Sequence, residues 1–169
     1  MTGRNSHAVG MADLPARSPE EAADAEPSFR GEIPQDVALL PRLLRDGGYR
    51  TVALGKWHLA PQFEEDPTRE HRSWPRDRGF DRYYGFIGGY TDQYAPALVD
   101  DEEPAAAERA EGYHLTADLV DHAIVELSSP AAQERPTFLY LATGAAHSPH
   151  QVPAEYRDRY RGEYDVGWD

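Results

Sequence analysis

The sequence contains no cysteine among its 169 residues. Disulfides, thiolate metal sites and a cysteine nucleophile are therefore excluded within this chain. Basic residues are also few, since 17 Lys and Arg stand against 30 Asp and Glu, a formal net charge of −13. Because a basic field is what attracts nucleic acid and anionic lipid, this balance argues against both as partners. An anionic substrate would need a local positive site.

Long apolar runs are missing as well. No stretch approaches the roughly 18 apolar residues of a membrane span, and the N-terminal region lacks the charged-then-apolar layout of a signal peptide. The compartment stays open between cytoplasmic and periplasmic or secreted. The length predicts one domain with a real core. The chain closes on YDVGWD without a helix, cap or polar tail, so we expect both ends to be cuts in a longer sequence.

Four patterned segments predict an α/β fold. Leucines at helical spacing predict a helix over 39–46, and a β-branched and apolar run predicts a strand over 49–54. An amphipathic helix is expected over 115–127. The continuous apolar run 137–143, bounded by proline and glycine, is typical of a strand buried on both faces. Helix, strand, helix, strand implies βαβ units and a largely parallel sheet covered by helices.

Three further segments are predicted to lie outside these elements. The stretches 12–35 and 99–112 are rich in proline, alanine and acid, so they cannot repay their ordering entropy by burial and are predicted to be acidic surface loops. The stretch 78–89, RGFDRYYGFIGG, lacks the glycine spacing of a phosphate-binding loop. Its aromatic residues are expected to pack a loop against the sheet.

A lysine and a histidine follow the first predicted strand in the sequence GKWHL. Lys56 and His58 are two positions apart, so in extended backbone their side chains point the same way, with Trp57 on the opposite side. A cation and an imidazole facing one pocket can bind an anionic oxygen and transfer a proton. The alternative is an ordinary solvated lysine beside a packed histidine, and the spacing alone leaves both open.

A second histidine-bearing loop, AAHSPHQVP, follows the other predicted strand. Taken alone, His147 or His150 would more simply cap the strand or join a turn. Two parallel strands that each deliver a histidine at the same end favour a shared site, because open α/β sheets bind ligands there. No pair of histidines has the spacing of a metal site. The remaining histidines are predicted to be solvated, namely His7, His71, His114 and His122.

Together these stretches resemble the sulfatase family, and bacterial arylsulfatases most. The matching stretches occur in the family's order and cover much of the chain. They are MTGRNSHAVGM (1–11), LLRDGGYRTVALGKWHL (43–59), RGFDRYYGFIGGYTDQY (78–94), FLYLATGAAHSPHQVP (138–153) and EYDVGWD (163–169).

The resemblance implies that residues 1–169 are a partial sulfatase catalytic domain with an incomplete alkaline-phosphatase-like α/β/α sandwich. Sulfatases hydrolyse sulfate esters with a calcium ion and a formylglycine made from a cysteine. Carried over by position, Lys56 would contact the sulfate and the formylglycine. His58 would help to eliminate sulfate from the covalent intermediate, and His147 would protonate the departing alcohol.

The departures from the family concern the nucleophile and the metal. The family's Cys-x-Pro-Ser-Arg motif and an aspartate pair precede the segment that opens this chain, while an Asp-Asn pair and a second lysine come later in the family's sequence. Asp165 and Asp169 do not match those positions. Calcium and formylglycine therefore belong to the complete family enzyme, and neither is encoded here. The remainder of the sulfatase domain would be a partner.

Two alternatives stay open beside a sulfate ester hydrolase. One is a phosphonate or phosphate ester hydrolase of the same superfamily, which would use similar positive groups on a similar oxyanion. The other is a non-catalytic remnant or binding fragment, for which the missing cysteine is direct support. The sequence does not identify the alcohol or phenol that carries the sulfate.

Overall fold

A five-stranded sheet organises the chain in the computed structural model, which describes residues 1–106 and 108–164. Its spatial order is β4-β3-β2-β1-β5. β1 pairs in parallel with β2 and with β5, whereas β3 is antiparallel to both β2 and β4. The predicted α/β class with a largely parallel sheet is confirmed. The strands are β1 (Arg50–Lys56), β2 (Arg82–Phe86), β3 (Val99–Asp100), β4 (Glu103–Pro104) and β5 (Thr137–Ala142).

The helices include both predicted ones. The expected segments 39–46 and 115–127 are helical to within one residue at each end. A short further helix begins where the apolar pattern of the helix over 115–127 ends. Ser129 is its N-cap, because the Ser129 hydroxyl accepts the Ala132 N–H. None of the helices in the described ranges is long and apolar enough to cross a bilayer. The helices are α1 (Pro19–Asp24), α2 (Leu40–Asp46), α3 (Leu115–Ser128), α4 (Pro130–Glu134) and α5 (Ala154–Arg157).

The core forms two clusters, one on each face of the sheet. Alternation along β1 sends Val52 and Leu54 to one face and Ala53 to the other. The first face is covered by α3 through Leu115 and Leu119, which are fully buried. The second face is covered by the N-terminal segment and the long β1–β2 connection. That cluster includes Val9, Ile33, Leu39, Trp57, Trp74 and Phe80.

β5 differs from its prediction as a strand buried on both faces. It is the edge strand of the sheet, and none of its residues is fully buried; Leu141 is 40% exposed. An apolar run in the sequence can identify a strand, but the burial of that strand depends on the elements packed around it. No described strand pairs with the outer edge of β5. The prediction of full burial is therefore wrong for this chain.

The three segments predicted as loops contain regular structure. The 12–35 stretch includes α1, where Ser18 accepts the Glu21 N–H as the N-cap, and it buries Ala16 and Ile33 in the interior. The 99–112 stretch contains β3 and β4, which extend the sheet as a hairpin. The 78–89 stretch contains β2, a central strand. Strand pairing has overridden the composition of 78–89 and 99–112, whereas a local cap stabilises α1 within 12–35. Asp165 and Asp169 lie outside the described residues.

Candidate active site

The carboxyl end of β1 is held in place by the backbone of β2. Lys56, half-buried and the only lysine of the sequence, is the last residue of β1 and lies opposite Phe86. Beyond the strand, the Trp57 N–H donates to the Phe86 carbonyl at 3.0 Å. The Trp57 indole is buried and donates to the Ser73 carbonyl at 2.8 Å. These hydrogen bonds fix the backbone that directly follows Lys56.

His58 adopts a backbone conformation that side-chain-bearing residues seldom take. Its φ is +53°, in the left-handed region, and its N–H donates to the Ile87 carbonyl at 2.8 Å. The prediction that an extended backbone aligns Lys56 with His58 is therefore wrong, because the strand stops at Lys56. The imidazole packs on Gly89, where a β-carbon would lie 2.7 Å from Nε2. A glycine at that position makes room for the histidine.

His147 lies on an exposed loop after β5. Its N–H donates to the Gly144 carbonyl at 3.0 Å. Its Nδ1 lies 2.8 Å from the Ser148 carbonyl oxygen. Because a carbonyl oxygen only accepts, this contact assigns a proton to Nδ1 and leaves Nε2 to exchange protons with a ligand. The His147 ring is parallel to that of Tyr90, with centroids 6.3 Å apart.

The structure brings the three predicted site residues to one region. Burial is the main cause of a lowered pKa at His58, and the positive charges of Lys56 and His147 lower that pKa further. Coulombic effects of this kind require charges to be near one another. The imidazole of His58 is consequently neutral near pH 7 and able to accept a proton. The catalytic roles of the three residues stay predictions.

A glutamine that the sequence analysis missed positions the loop of His147. The Gln151 side-chain oxygen accepts the Gln93 N–H at 2.7 Å, and its amide donates to the Asp92 carboxylate at 2.6 Å. The Gln151 carbonyl contacts Nε2 of His114, the N-cap of α3, at 3.1 Å. The stretches that hold these side chains, YTDQ and HSPHQ, each follow a strand, which is the signal that could have found them.

A cavity of about 350 Å³ opens beside this region and was also missed by sequence reasoning. Phe86 and Tyr90 line it on one side, and Leu98 lies on another. Glu65 lies at its wall with its carboxylate against Gly88, where a β-carbon would be 2.9 Å from Oε2. Burial raises the pKa of the Glu65 carboxyl. The site therefore combines a positive region with an adjoining apolar space.

The residues present do not fit either group that the resemblance implies. Within residues 1–106 and 108–164, no cluster of three or more His, Cys, Asp or Glu side chains could hold a metal ion. The sequence has no cysteine from which formylglycine could form.

Two of the other histidines are packed rather than simply solvated as predicted, whereas His7 is exposed. His71 stacks on Trp74 at 3.9 Å between centroids, and His122 stacks on Tyr84 at 3.7 Å.

Comparison with known proteins identifies the family. The family model described as Sulfatase matches residues 1–169. The chain belongs to the sulfatase family. It is 34% identical over 151 residues to the uncharacterized sulfatase YdeN of Escherichia coli K12, and 26% identical over 177 residues to the arylsulfatase of Klebsiella aerogenes. These matches cover 80% and 99% of this chain.

Solved structures agree with the family. The crystal structure of Ps i-CgsB superposes with a TM-score of 0.74 at 26% identity and covers 95% of this chain and 36% of its own. The fold is thus the alkaline-phosphatase-like α/β fold of sulfatases. This chain spans 26% of the Escherichia coli relative and 36% of the Klebsiella relative, about a quarter to a third of their length.

Proposed function

We propose that this chain supplies the sulfate-binding and proton-transfer groups of an arylsulfatase-type sulfuric ester hydrolase. The observation that carries the proposal is the electrostatic influence of Lys56 and His147 on His58 at the carboxyl edge of the sheet. Arylsulfatases are among the curated relatives, which supports the choice of reaction class. The residues present fit neither calcium nor formylglycine, so the contribution of this chain stops at binding the oxyanion and moving protons.

Each of the three groups has a task that its chemistry suits. The ammonium of Lys56 contacts a sulfate oxygen as a point charge. As sulfur is transferred to a nucleophile that this chain does not supply, the bond between sulfur and the ester oxygen would break and its electron pair would stay on that oxygen. Protonated His147 gives its Nε2 proton to the same oxygen as the alcohol leaves. His58 would accept the proton given up in the step that releases sulfate, and its lowered pKa keeps it in the neutral form that can do so.

The charge of the site favours sulfate over phosphate esters. A sulfate monoester carries one negative charge, whereas a phosphate monoester carries close to two near neutral pH. Lys56 supplies one permanent positive charge, and the lowered pKa keeps His58 uncharged above mildly acidic pH. With His58 neutral, the positive charge of the three groups is limited to Lys56 and the proton that His147 donates, which suits a monoanion better than a dianion.

Binding of methyl sulfate and methyl phosphate to the 169-residue chain tests the proposal at pH 7.5, with NMR signals of the histidine rings and the single lysine as the readout. Methyl sulfate should shift the signals of Lys56, His58 and His147 together and raise the pKa of His58. Lys56→Gln should abolish these shifts, and the control Arg17→Gln, an exposed cation that pairs with Glu21, should preserve them. Tighter binding of methyl phosphate would favour the phosphate ester hydrolase alternative. Signals of Lys56, His58 and His147 that do not shift together would refute the shared site.

A further inference from the structure

The cavity of about 350 Å³ is lined by two residues that contact the proposed active site. Tyr90 lines the cavity and also faces the ring of His147. Phe86 lines it too and is the β2 partner of Lys56 in the parallel ladder. Neither this cavity nor a larger one of about 500 Å³ beside the ion pair of Glu32 and Arg72 has Lys56, His58 or His147 in its lining, but the larger one also lacks Phe86 and Tyr90. The smaller cavity therefore lies on the side of the sheet where His147 would protonate the departing alcohol.

The lining of the smaller cavity is mainly apolar, with Glu65 as its charged side chain and Tyr90 and Thr91 as its hydroxyl groups. Among the described residues that line it there is no lysine, arginine or histidine, and Glu65 is the only charged group. Pockets of this size with apolar walls and few polar groups are typical of small-molecule sites. The walls are formed mainly by Phe86, Ile87, Pro96, Leu98 and Val99.

The Glu65 carboxylate has no structural partner among the described residues. Within the described parts of the chain, no hydrogen bond or ion pair engages its carboxylate, although the neighbouring Glu64 is buried and accepts the backbone N–H groups of Arg72 and Ser73. The Glu65 carboxylate lies over Gly88, beside the cavity. Burial disfavours its charged form and raises its pKa. The cost of this partial desolvation is not offset by a partner within the described chain.

We propose that this cavity binds the alcohol half of the sulfate ester and that Glu65 makes it select an uncharged, phenol-like alcohol over one that carries a second anion. The inference rests on the proposed function, which places the ester oxygen next to His147. Apolar walls favour burial of an aromatic ring. A carboxylate or a further sulfate on the alcohol would be repelled by Glu65. The described lining has no cation that would pair with such an anion.

Two para-substituted phenols separate the contributions of the walls and of Glu65. At pH 6.5, 4-cresol is uncharged and 4-hydroxybenzoate carries a carboxylate. We expect 4-cresol to bind the 169-residue chain and to shift the NMR signals of Phe86, Tyr90 and Leu98, while 4-hydroxybenzoate binds more weakly. Glu65→Gln should strengthen 4-hydroxybenzoate binding by roughly 5- to 10-fold, the size of a screened charge repulsion at a partly exposed site, and leave 4-cresol affinity within about 2-fold.

Two further variants make the test specific. Glu134→Gln, which removes an exposed charge on α4, should change neither affinity. Ala97→Trp should fill the cavity from its exposed rim and abolish 4-cresol binding, while the methyl sulfate shifts at Lys56 and His58 persist. Absence of 4-cresol shifts in the cavity, or an unchanged affinity of Glu65→Gln for 4-hydroxybenzoate, would overturn the inference. The methyl sulfate titration judges the proposed function separately, because its signals come from different residues.

Discussion

Tyr90 and His147 face each other with parallel rings, 6.3 Å apart between centroids and 5° between planes. Tyr90 follows β2 and His147 follows β5, and β1 lies between these two strands in the sheet. The contact therefore joins the two loops that flank the exit of β1, where Lys56 and His58 lie. A residue from each of three adjacent strand ends is thereby brought to one place, as expected for the carboxyl edge of a parallel sheet.

The first prediction concerns the pKa of His58. Lys56→Gln and His147→Gln each remove a positive charge that lowers this pKa, so each should raise it. Because burial is the larger cause, the pKa of His58 should stay below its ordinary value of about 6.5 in both variants. NMR titration of the ring signals measures it, and His71→Gln is the control because His71 packs on Trp74. A pKa that does not move in either variant would show that the three residues are not neighbours in solution.

Gln151 is predicted to fix the loop of His147. Gln151→Ala removes two side-chain hydrogen bonds, which join this loop to Gln93 and Asp92. The loss should cost about 1 kcal/mol of unfolding free energy and speed amide exchange over 144–151. It should also raise the pKa of Asp92, which the amide of Gln151 holds below its usual range. The exposed Gln133→Ala serves as control, and equal exchange rates in the two variants would contradict the prediction.

Elements with regular apolar spacing were predictable from the sequence, whereas the central strand β2 was not. Periodicity located α2, β1 and α3, because their apolar spacing reflects the faces they bury. β2 was mistaken for a loop, since its glycine serves a close approach: a β-carbon on Gly85 would lie 2.0 Å from the Gly55 carbonyl oxygen. In the sequence, a glycine between aromatic residues suggests a turn. Only the pairing with β1 shows that Arg82–Phe86 is a strand.

The candidate site divides in the same way. Lys56, His58 and His147 could be selected because charged or titratable residues follow recognisable strands. Glu65 could not be selected, because it does not follow a strand. Its place beside the cavity is defined by its contact with Gly88, which follows β2. Gln151 was missed although it follows a predicted strand, since its partners lie 58 and 59 positions away in the chain.

Glu65→Gln should stabilise the chain at neutral pH. The folded-state pKa of Glu65 is raised, so between its unfolded value and that raised pKa the folded protein binds more protons. Stability therefore falls as pH rises through this window, and the cost persists above it. Glutamine removes the cost, so the gain over the native sequence should be seen at pH 7.5 and vanish near pH 3.5. Urea unfolding at both values measures it, with Glu134→Gln as the matched variant. A gain that is equal at both pH values would contradict this origin.

Exposed apolar surface on α3 and β5 predicts self-association. Ile124 and Val125 are 57% and 66% exposed, and Leu141 on the edge strand is 40% exposed. Uncovered apolar faces and unpaired strand edges favour association. We expect the 169-residue chain to bind an apolar-surface dye and to form oligomers at micromolar concentration. Val125→Glu should reduce both, whereas the polar surface change Gln133→Glu should not. Monomeric behaviour by light scattering with no dye binding would show that these faces are not adhesive.

The last prediction is that the 169-residue chain does not turn over 4-nitrophenyl sulfate, even with calcium added. The sequence has no cysteine to give formylglycine, and the described residues include no cluster of metal ligands. Positioned acid–base groups contribute about 10² to 10⁴ in rate, whereas enzymes commonly reach 10⁶ or more. Lys56, His58 and His147 can therefore bind an ester and move protons without closing that gap. The assay compares the native sequence with the triple variant Lys56→Gln, His58→Gln, His147→Gln. Turnover that the triple variant loses would mean that these residues act with a nucleophile encoded elsewhere in this chain.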